Sequence, residues 1–347
     1  MGVSLSYRRG GVVARCVLAL GAIVSVPGAL GAAGKERRPV VFQYHWWPQA
    51  QFAGYIVAKE KGFFVGAGVG EVILTAWTEG DPPLKRVSDG SVDFCTGWLS
   101  QGMKLRSQGA KVVNIGQVMQ RSAFRLVTRK RSGIVKPEDM NGRRVGLWGG
   151  DFDVQPNAFF RKYGVTPEIV PQSFSIAPFL YGAVEVMSAM YYNEYHKLLE
   201  AGLQECDLRS FDLADYGFNI PEDGIYCSEA TREARPELCA AVVRASFQGW
   251  AYALAHESEA LDIVMKYCEE AHTATNRNHQ RWMLRAMGEL IRSRVEADPS
   301  VWGGLGRETY EQAGRTLSEQ GVLKSVPAYA EFYRPVAASG EKRGAVR

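Results

Sequence analysis

The chain has few cysteines for its length, and their spacing forms no framework. Six cysteines occur in 347 residues, and Cys16 lies in an N-terminal stretch that we expect to be removed. The odd number that is left is scattered, which excludes a disulfide-rich fold, and no pair has the spacing of a metal site. A single disulfide bond in an oxidising compartment remains an alternative, and the sequence does not indicate which two cysteines would form it. The five cysteines are Cys95, Cys206, Cys227, Cys239 and Cys268.

Motifs of catalysis are also missing. The five histidines form no H-x-x-x-H or H-E-x-x-H pair, so a zinc hydrolase is not predicted. The chain contains no G-x-S-x-G nucleophile turn and no G-x-x-x-x-G-K-S/T phosphate loop. These absences favour a binding protein over an enzyme. The sequence predicts no catalytic residue, no cofactor and no bound metal.

The numbers of positive and negative side chains are nearly equal, and most of the small positive excess lies at the N-terminus. The formal net charge is +4, but the first 33 residues carry Arg8, Arg9 and Arg15 and no acid. Without them the net charge is +1, so no clustered basic surface for nucleic acid is predicted. The arginines, an apolar run at 16–26 and small residues at 28–33 are typical of a signal peptide cleaved after Ala33. The prediction is a periplasmic or secreted protein, with an uncleaved membrane anchor as the alternative.

Short apolar runs alternate with helical patterns from residue 40 to residue 228, which argues for parallel α/β sheets. Lys130–Gly133, charged and ending in glycine, is interpreted as a crossing between two lobes. Beyond Pro236 the apolar period is helical. Ten strands are predicted, of which the last two are expected to return to the first lobe: Val40–Phe42, Glu71–Thr75, Val92–Cys95, Lys111–Met119, Phe124–Thr128, Arg144–Leu147, Ile169–Val170, Val186–Met190, Leu208–Leu213 and Gly224–Ser228.

The chain is organised around the stretch from Val41 to Phe64. A short apolar strand leads into an aromatic turn, His45-Trp46-Trp47-Pro48, and then into a helix that ends near Lys61-Gly62. Such a strand–loop–helix unit places ligands at the carboxyl end of a strand in open α/β sheets. Two tryptophans in one loop indicate a binding surface, unless both rings pack into the core.

This stretch resembles a known family. The pattern W-x-P-x-x-Q-F-A-G-Y-x-V-A-x-E-K-G-F-F, which begins at Trp46 and includes Gln51, is similar to the opening of the thiamine-pyrimidine branch of ABC-transporter substrate-binding proteins. The resemblance implies an α/β fold of the type II periplasmic binding protein, with a ligand cleft between two lobes. It implies lobe 1 at 38–129 and 229–335, lobe 2 at 130–228, and a flexible tail at 336–347.

A second similarity lies in the run Tyr191-Tyr192-Asn193-Glu194-Tyr195, which resembles a Y-N-E-Y run in the second lobe of these proteins. An aminopyrimidine presents an exocyclic donor beside a ring-nitrogen acceptor. Asn193 offers a donor and an acceptor, and Glu194 offers two acceptors, or one donor when protonated. The alternative is structural: Asn193 caps the helix that follows, and Glu194 complements its dipole.

Three further stretches resemble the family in order along the chain. They are Phe94–Ser100, which contains Trp98, Asn114–Gln120, which contains Gln117, and Gly146–Gly150, which contains Trp148 and Gly149. The chain also departs from the pattern, because His45 and Trp47 stand where smaller or cationic residues are usual in the family. These changes could resize the pocket toward a larger flat ring such as a flavin.

The resemblance implies an extracytoplasmic solute-binding protein of an ABC importer that binds a formylaminopyrimidine or hydroxymethylpyrimidine precursor of thiamine. Its expected partners are a membrane permease and an ATPase, and the protein itself is expected to be a monomer. A riboflavin- or sulfonate-binding relative is the alternative. A related pyrimidine synthase is less favoured, because its cysteine cluster is missing here. The candidate ligand-binding residues are Trp46, Trp47, Gln51, Trp98, Gln117, Trp148, Gly149, Gly150, Tyr191, Asn193 and Glu194.

Overall fold

The computed structural model describes residues 38–292 and 302–336, so the expected signal peptide lies outside it, as does nearly all of the expected tail. Ten strands form two five-stranded sheets. The strands are β1 Val40–Gln43, β2 Val72–Thr75, β3 Phe94–Gly97, β4 Val112–Gln117, β5 Phe124–Arg129, β6 Arg144–Leu147, β7 Glu168–Pro171, β8 Val186–Met190, β9 Leu208–Asp212 and β10 Gly224–Ser228.

Helices cover both sheets and fill the C-terminal third of the described chain. They are α1 Ala53–Glu60, α2 Phe63–Gly66, α3 Pro83–Ser88, α4 Leu99–Ser107, α5 Val154–Lys162, α6 Ala177–Leu180, α7 Glu194–Glu200, α8 Glu229–Ala234, α9 Pro236–Ala255, α10 Glu257–Glu270, α11 Arg277–Arg292, α12 Arg307–Glu319 and α13 Tyr329–Phe332.

The first sheet has the strand order β2-β1-β3-β10-β4. The pairs β1–β2 and β1–β3 are parallel, and β10 lies antiparallel between β3 and β4. All residues of β3 and β4 are buried, as expected for strands covered by helices on both faces. Helices α1 and α9 pack against each other in this part of the molecule, which we call the first lobe.

The second sheet has the order β7-β6-β8-β5-β9 and defines the second lobe. Here β6 pairs in parallel with β7 and β8, and β5 pairs antiparallel with β8 and β9. Two expectations are therefore wrong: β5 was expected in the first lobe, and β9 was expected to return to it. Two mixed sheets with flanking helices confirm the expected two-lobe α/β class; the other lobe boundaries stay a prediction.

Two segments carry the chain between the lobes, at residues 118–123 and at residues 213–223. They lie side by side, because Val118 N–H donates to the Asp223 carbonyl over 3.0 Å and Ser122 N–H donates to Asn219 Oδ1 over 2.8 Å. The crossing that the sequence predicted at Lys130–Gly133 is wrong. That stretch is a 3₁₀ turn within the second lobe, ended by Gly133 at φ 77°.

The second crossing contains a fully buried carboxyl, Glu222. Its oxygens accept a hydrogen bond from the Ser122 hydroxyl at 2.8 Å and from Ala123 N–H at 3.0 Å. Burial outweighs these two bonds and raises the pKa of Glu222 from 4.5 to about 8. The protonated form is thus the one that the native structure favours.

This carboxyl predicts a pH dependence of stability. Between about pH 4.5 and pH 8 the native state holds a proton on Glu222 that the unfolded state has lost. The free energy of unfolding therefore falls as pH rises through this range, by at most ~1.4 kcal/mol per pH unit from this group. In Glu222→Gln the fall should be smaller, whereas Glu138→Gln, at an exposed glutamate, should behave like the wild type. Urea unfolding of the three proteins at several pH values measures this dependence. If the free energy of unfolding changed equally with pH in the wild type and in Glu222→Gln, the prediction would be contradicted.

The cysteine sulfurs give no bridge among the described residues. All five are free thiols, and only Cys206 among them is exposed. The sulfurs of Cys227 on β10 and Cys239 on α9 lie 4.0 Å apart, well beyond a bond of about 2.05 Å. No helix within 38–292 and 302–336 is long and apolar enough to cross a membrane.

Candidate ligand-binding site

A cavity of about 500 Å³ lies where the strand ends of the two sheets meet. Its lining comes from the loops that follow β1, β2 and β3 in the first lobe and β6, β7 and β8 in the second. This is where ligands bind in open α/β sheets, outside the carboxyl ends of the strands. Its size lies in the range of small-molecule sites.

Seven tryptophan, phenylalanine and tyrosine rings line the cavity. In the first lobe, Trp46 and Trp77 stack with ring centroids 5.4 Å apart and planes at 19°. Phe174 of the second lobe meets Trp46 edge-on at 4.8 Å. On another part of the wall, Trp98 of the first lobe meets Phe152 of the second at 4.9 Å and 82°. Rings from both lobes thus line one cavity, which suits a flat ligand.

A charged pair also joins the lobes at the cavity. Lys104 on α4 binds Asp151, in the loop after β6, with a nitrogen–oxygen distance of 2.5 Å. Both side chains line the cavity and are about one-third exposed. A pair at this level of exposure adds little stability. The pair thus connects α4 of the first lobe with the loop after β6 of the second lobe.

The first lobe contributes a polar cluster around His45. The Thr96 hydroxyl accepts His45 N–H at 3.0 Å and lies 2.6 Å from the ring atom Nδ1. The other ring nitrogen, Nε2, accepts Trp98 Nε1–H at 3.3 Å and lies 3.1 Å from Asp223 Oδ1. Gln51 Nε2 donates to the same carboxylate at 3.1 Å. The buried Asp223 thus contacts two cavity residues, and it has φ 50°, a left-handed value that is uncommon outside glycine.

The second lobe contributes the carboxyl of Glu194, which is 3% exposed. One oxygen, Oε2, accepts Met190 N–H at 3.0 Å, and the other, Oε1, accepts Asn193 Nδ2 at 2.8 Å. Burial raises the pKa of Glu194 above its ordinary value, although the bond from Met190 opposes this. Each oxygen keeps a second lone pair, so the carboxyl can still bind a molecule in the cavity.

Six of the eleven predicted residues line the cavity. Trp46 and Trp98 bring rings from the first lobe and Trp148 brings one from the second. The polar members are Gln51, Asn193 and Glu194. Asn193 stands at the position before α7, as the alternative interpretation expected, but its side chain does not cap the helix. It donates to Glu194 Oε1 instead, and so holds a carboxyl group that lines the cavity.

The other five predicted residues lie outside the cavity lining. Trp47 is 42% exposed and packs against Trp46 and Trp77 from outside. Gln117 is buried in the first sheet, where Nε2 donates to the Glu222 carbonyl at 2.5 Å. Tyr191 packs on Arg125 and Trp282. Gly149 and Gly150 adopt positive φ, 88° and 61°, which explains the glycines by backbone conformation.

Four lining residues were not among the predicted ones but follow strands in the same way. Trp77 comes two residues after β2, Phe152 follows β6, Phe174 follows β7, and Tyr192 follows β8. The rule that ligands bind after strand ends could have found all four. Asp223 had no such signal, because it lies in the second crossing, at residues 213–223, and does not follow any of the strands whose ends line the cavity.

One polar atom in the wall lacks a partner within the described part of the chain. Trp148 Nε1 is buried and makes no hydrogen bond there. A buried donor without an acceptor costs about 1–3 kcal/mol. An acceptor on a bound molecule would remove that cost, so this atom is a further candidate contact.

Known structures share this architecture. The periplasmic aliphatic sulphonate binding protein SsuA of Escherichia coli superposes with a TM-score of 0.67 over 90% of this chain and 96% of its own, at 14% identity. The fold is therefore that of the periplasmic binding proteins, with two α/β lobes around a cleft. At this identity the likeness concerns the fold alone.

The sequence places the chain in a family. The NMT1/THI5-like model matches residues 49–260, more than half of the chain, and the protein belongs to this family. The riboflavin-binding protein RibY of Chloroflexus aurantiacus is 28% identical over 233 residues, which are 65% of each chain, so the match spans just under two thirds of that relative. A formylaminopyrimidine-binding protein of Halalkalibacterium halodurans is 22% identical over 298 residues, 82% of this chain and 86% of its own.

Proposed function

We propose that this protein is the extracytoplasmic solute-binding component of an ABC importer and that it captures an aminopyrimidine of the thiamine-precursor type. The lobes would close on the flat ring, and a permease with its ATPase would accept the loaded protein. The expected signal peptide supports a periplasmic or secreted location. A monomer is the proposed state.

The carboxyl of Glu194 carries the proposal. It is buried at the cavity among aromatic rings, and its raised pKa favours a proton on it or shared with a partner. A carboxyl group and an aminopyrimidine pair through two hydrogen bonds: one oxygen accepts from the exocyclic amine, and the proton lies between the other oxygen and the ring nitrogen. Met190 and Asn193 hold the carboxyl for this contact.

The aromatic wall supports the same ligand class. A pyrimidine ring needs flat apolar faces, and Trp46, Trp98 and Trp148 reach the cavity from three different strand ends. The polar groups of the protein, Glu194 and Asn193, then select the ligand by its hydrogen-bond donors and acceptors. A ligand that left one of these buried groups without a partner would lose more binding free energy than one with a poor apolar contact.

A flavin is the second candidate, and cavity size favours it. About 500 Å³ exceeds what a single six-membered ring with small substituents fills, whereas a three-ring isoalloxazine would occupy more of it. The riboflavin-binding relative at 28% identity supports this alternative. The imide edge of a flavin offers one donor between two acceptors; an oxygen of Glu194 would accept from the donor, and Trp148 Nε1 would donate to one acceptor.

A sulfonate fits this site less well. Two carboxyl groups, Glu194 and Asp223, are buried at or beside the cavity, and neither supplies the positive charge that a sulfonate needs. Two lysines line the described cavity: Lys85 is exposed, and Lys104 is paired with Asp151. A buried anion needs a paired cation, so the sulfonate alternative has weak support.

The test is calorimetric titration of the chain from Gly34 with formylaminopyrimidine, hydroxymethylpyrimidine, thiamine and riboflavin. We expect one-to-one binding of an aminopyrimidine in the micromolar range or tighter, on the order of −8 kcal/mol or more negative. Riboflavin binding alone would replace the pyrimidine with the second candidate. If none of the four ligands bound, the proposed ligand class would be wrong.

A further inference from the structure

Three side chains outside the cavity converge from two helices. His196 and Glu200 are four residues apart on α7 and so share one face of it, and His279 lies near the start of α11. The Nδ1 atoms of His196 and His279 are 2.9 Å apart. Glu200 Oε2 lies 3.5 Å from His279 Nδ1 and 3.9 Å from His196 Nδ1. The sequence did not suggest this group, because 83 residues separate the two histidines.

The hydrogen bonds around His279 determine which ring nitrogen carries its proton. Asn193 Nδ2 donates to Glu194, so Asn193 Oδ1 is an acceptor, and it lies 3.0 Å from His279 Nε2. His279 Nε2 must therefore be protonated to make this bond. In the neutral ring, Nδ1 then presents a lone pair toward His196 and Glu200.

Glu200 is oriented in the same way. Its other oxygen, Oε1, accepts Asn276 Nδ2 at 3.0 Å, which leaves Oε2 facing the two rings. The ring of His196 is held by Trp282, which stacks on it at 4.8 Å and 17°. Outer partners that fix the tautomer of a histidine and the direction of a carboxylate are typical of metal sites.

We propose that His196, Glu200 and His279 bind a divalent transition-metal ion, zinc by the chemistry of the ligands. Two imidazoles and a carboxylate suit zinc, whereas calcium and magnesium prefer oxygen ligands alone. Metal–ligand bonds of about 2.0–2.2 Å let two ligand atoms lie up to about 4.2 Å apart. The three separations of 2.9, 3.5 and 3.9 Å fall within this limit.

The location gives the ion a structural role. Helix α7 follows β8 of the second lobe, and α11 packs against α9 and α10 of the first. An ion held by both helices ties the lobes together beside the cavity. The path from His279 through Asn193 to Glu194 also connects the metal group to a cavity carboxyl.

An ion can reach the group from solvent. The side chain of Glu200 is 30% exposed and that of His196 is 14% exposed, whereas His279 is 4% exposed. Entry is thus from the α7 side. Without metal, the same atoms would form a plain hydrogen bond from His196 to His279, and this is the alternative that the experiment distinguishes.

The experiment is calorimetric titration of the full chain, stripped of metal by a chelator, with zinc chloride and with no organic ligand present. We expect one ion per chain. His196→Ala and Glu200→Gln should each weaken binding at least tenfold, and Asn276→Ala should weaken it about tenfold by releasing Glu200. His272→Asn, which removes an exposed histidine at φ 53° without adding strain, should bind zinc like the wild type.

A second measurement separates the site from adventitious binding. Cobalt(II) in place of zinc should give a visible absorption band that is lost in His196→Ala and kept in His272→Asn. Absence of zinc binding in the wild type, or equal affinity in the wild type, His196→Ala and Glu200→Gln, would overturn the proposal. Because no pyrimidine or flavin is added, such a failure would leave the proposed function untouched.

Discussion

Replacing Glu194 by glutamine is expected to weaken ligand binding about 10- to 150-fold, a loss of ~1.5–3 kcal/mol. Glutamine has nearly the same size, so the aromatic wall keeps its shape. The substitution removes the group that can share a proton with a ring nitrogen. It also brings an amide NH₂ toward Met190 N–H or Asn193 Nδ2, both of which donate to the native carboxyl.

The measurement is calorimetry with whichever ligand of the panel the wild type binds. Glu138→Gln is the matched control, because Glu138 is an exposed glutamate of the second lobe away from the cavity. Thermal unfolding of both variants shows whether the site is still folded. If a folded Glu194→Gln protein bound the ligand with wild-type affinity, Glu194 would not be a ligand contact. The main support for an aminopyrimidine would then be lost.

The sequence predicted the site best close to the ends of strands. Trp98 and Trp148 directly follow β3 and β6, Trp46 lies three residues after β1 and Glu194 four residues after β8, and all four line the cavity. The strand-end rule needs only local information, since apolar runs mark strands and the next residues form the rim. Immediate neighbours were less predictable, because adjacent loop residues point in different directions. Trp47 thus faces outward beside Trp46.

The lobe in which a strand lies was harder to predict than the strand itself. The pattern of β5 and β9 gives their extent nearly to the residue, but it carries no information on their partners. The charged stretch Lys130–Gly133 was interpreted as a crossing, although a short polar turn between two elements of one lobe has the same composition. The true crossing at 118–123 is mostly buried and reads as part of a strand.

Contacts between distant residues had no local signal at all. His45 and Asp223 meet across 178 positions, and His279 meets Asn193 across 86. Each side chain alone resembles many surface or core residues. What makes them a site is the approach of the second crossing, or of α11, to a strand end, and that depends on the packing of the whole molecule.

Gly249→Ala is expected to destabilise the protein by about 3 kcal/mol or more. Gly249 lies in α9 where this helix crosses α1, and a Cβ atom there would collide with the backbone carbonyl of Gly54. It would also lie 2.9 Å from the backbone nitrogen and the Cβ of Ala58. These are backbone groups of a buried helix, so no side chain can move aside and the two helices must separate.

The damage should extend to the ligand site, because α1 directly follows the 3₁₀ turn Ala50–Phe52 that contains Gln51. The matched control is Gly66→Ala at the end of α2, where a Cβ meets no atom within 4 Å and φ is not positive. That change should leave stability equal or raise it by up to ~1 kcal/mol, because alanine loses less backbone entropy than glycine. Urea unfolding of both variants measures the difference. A Gly249→Ala protein as stable as Gly66→Ala would mean that α1 and α9 do not cross at the distance described, and the position of Gln51 would then need revision.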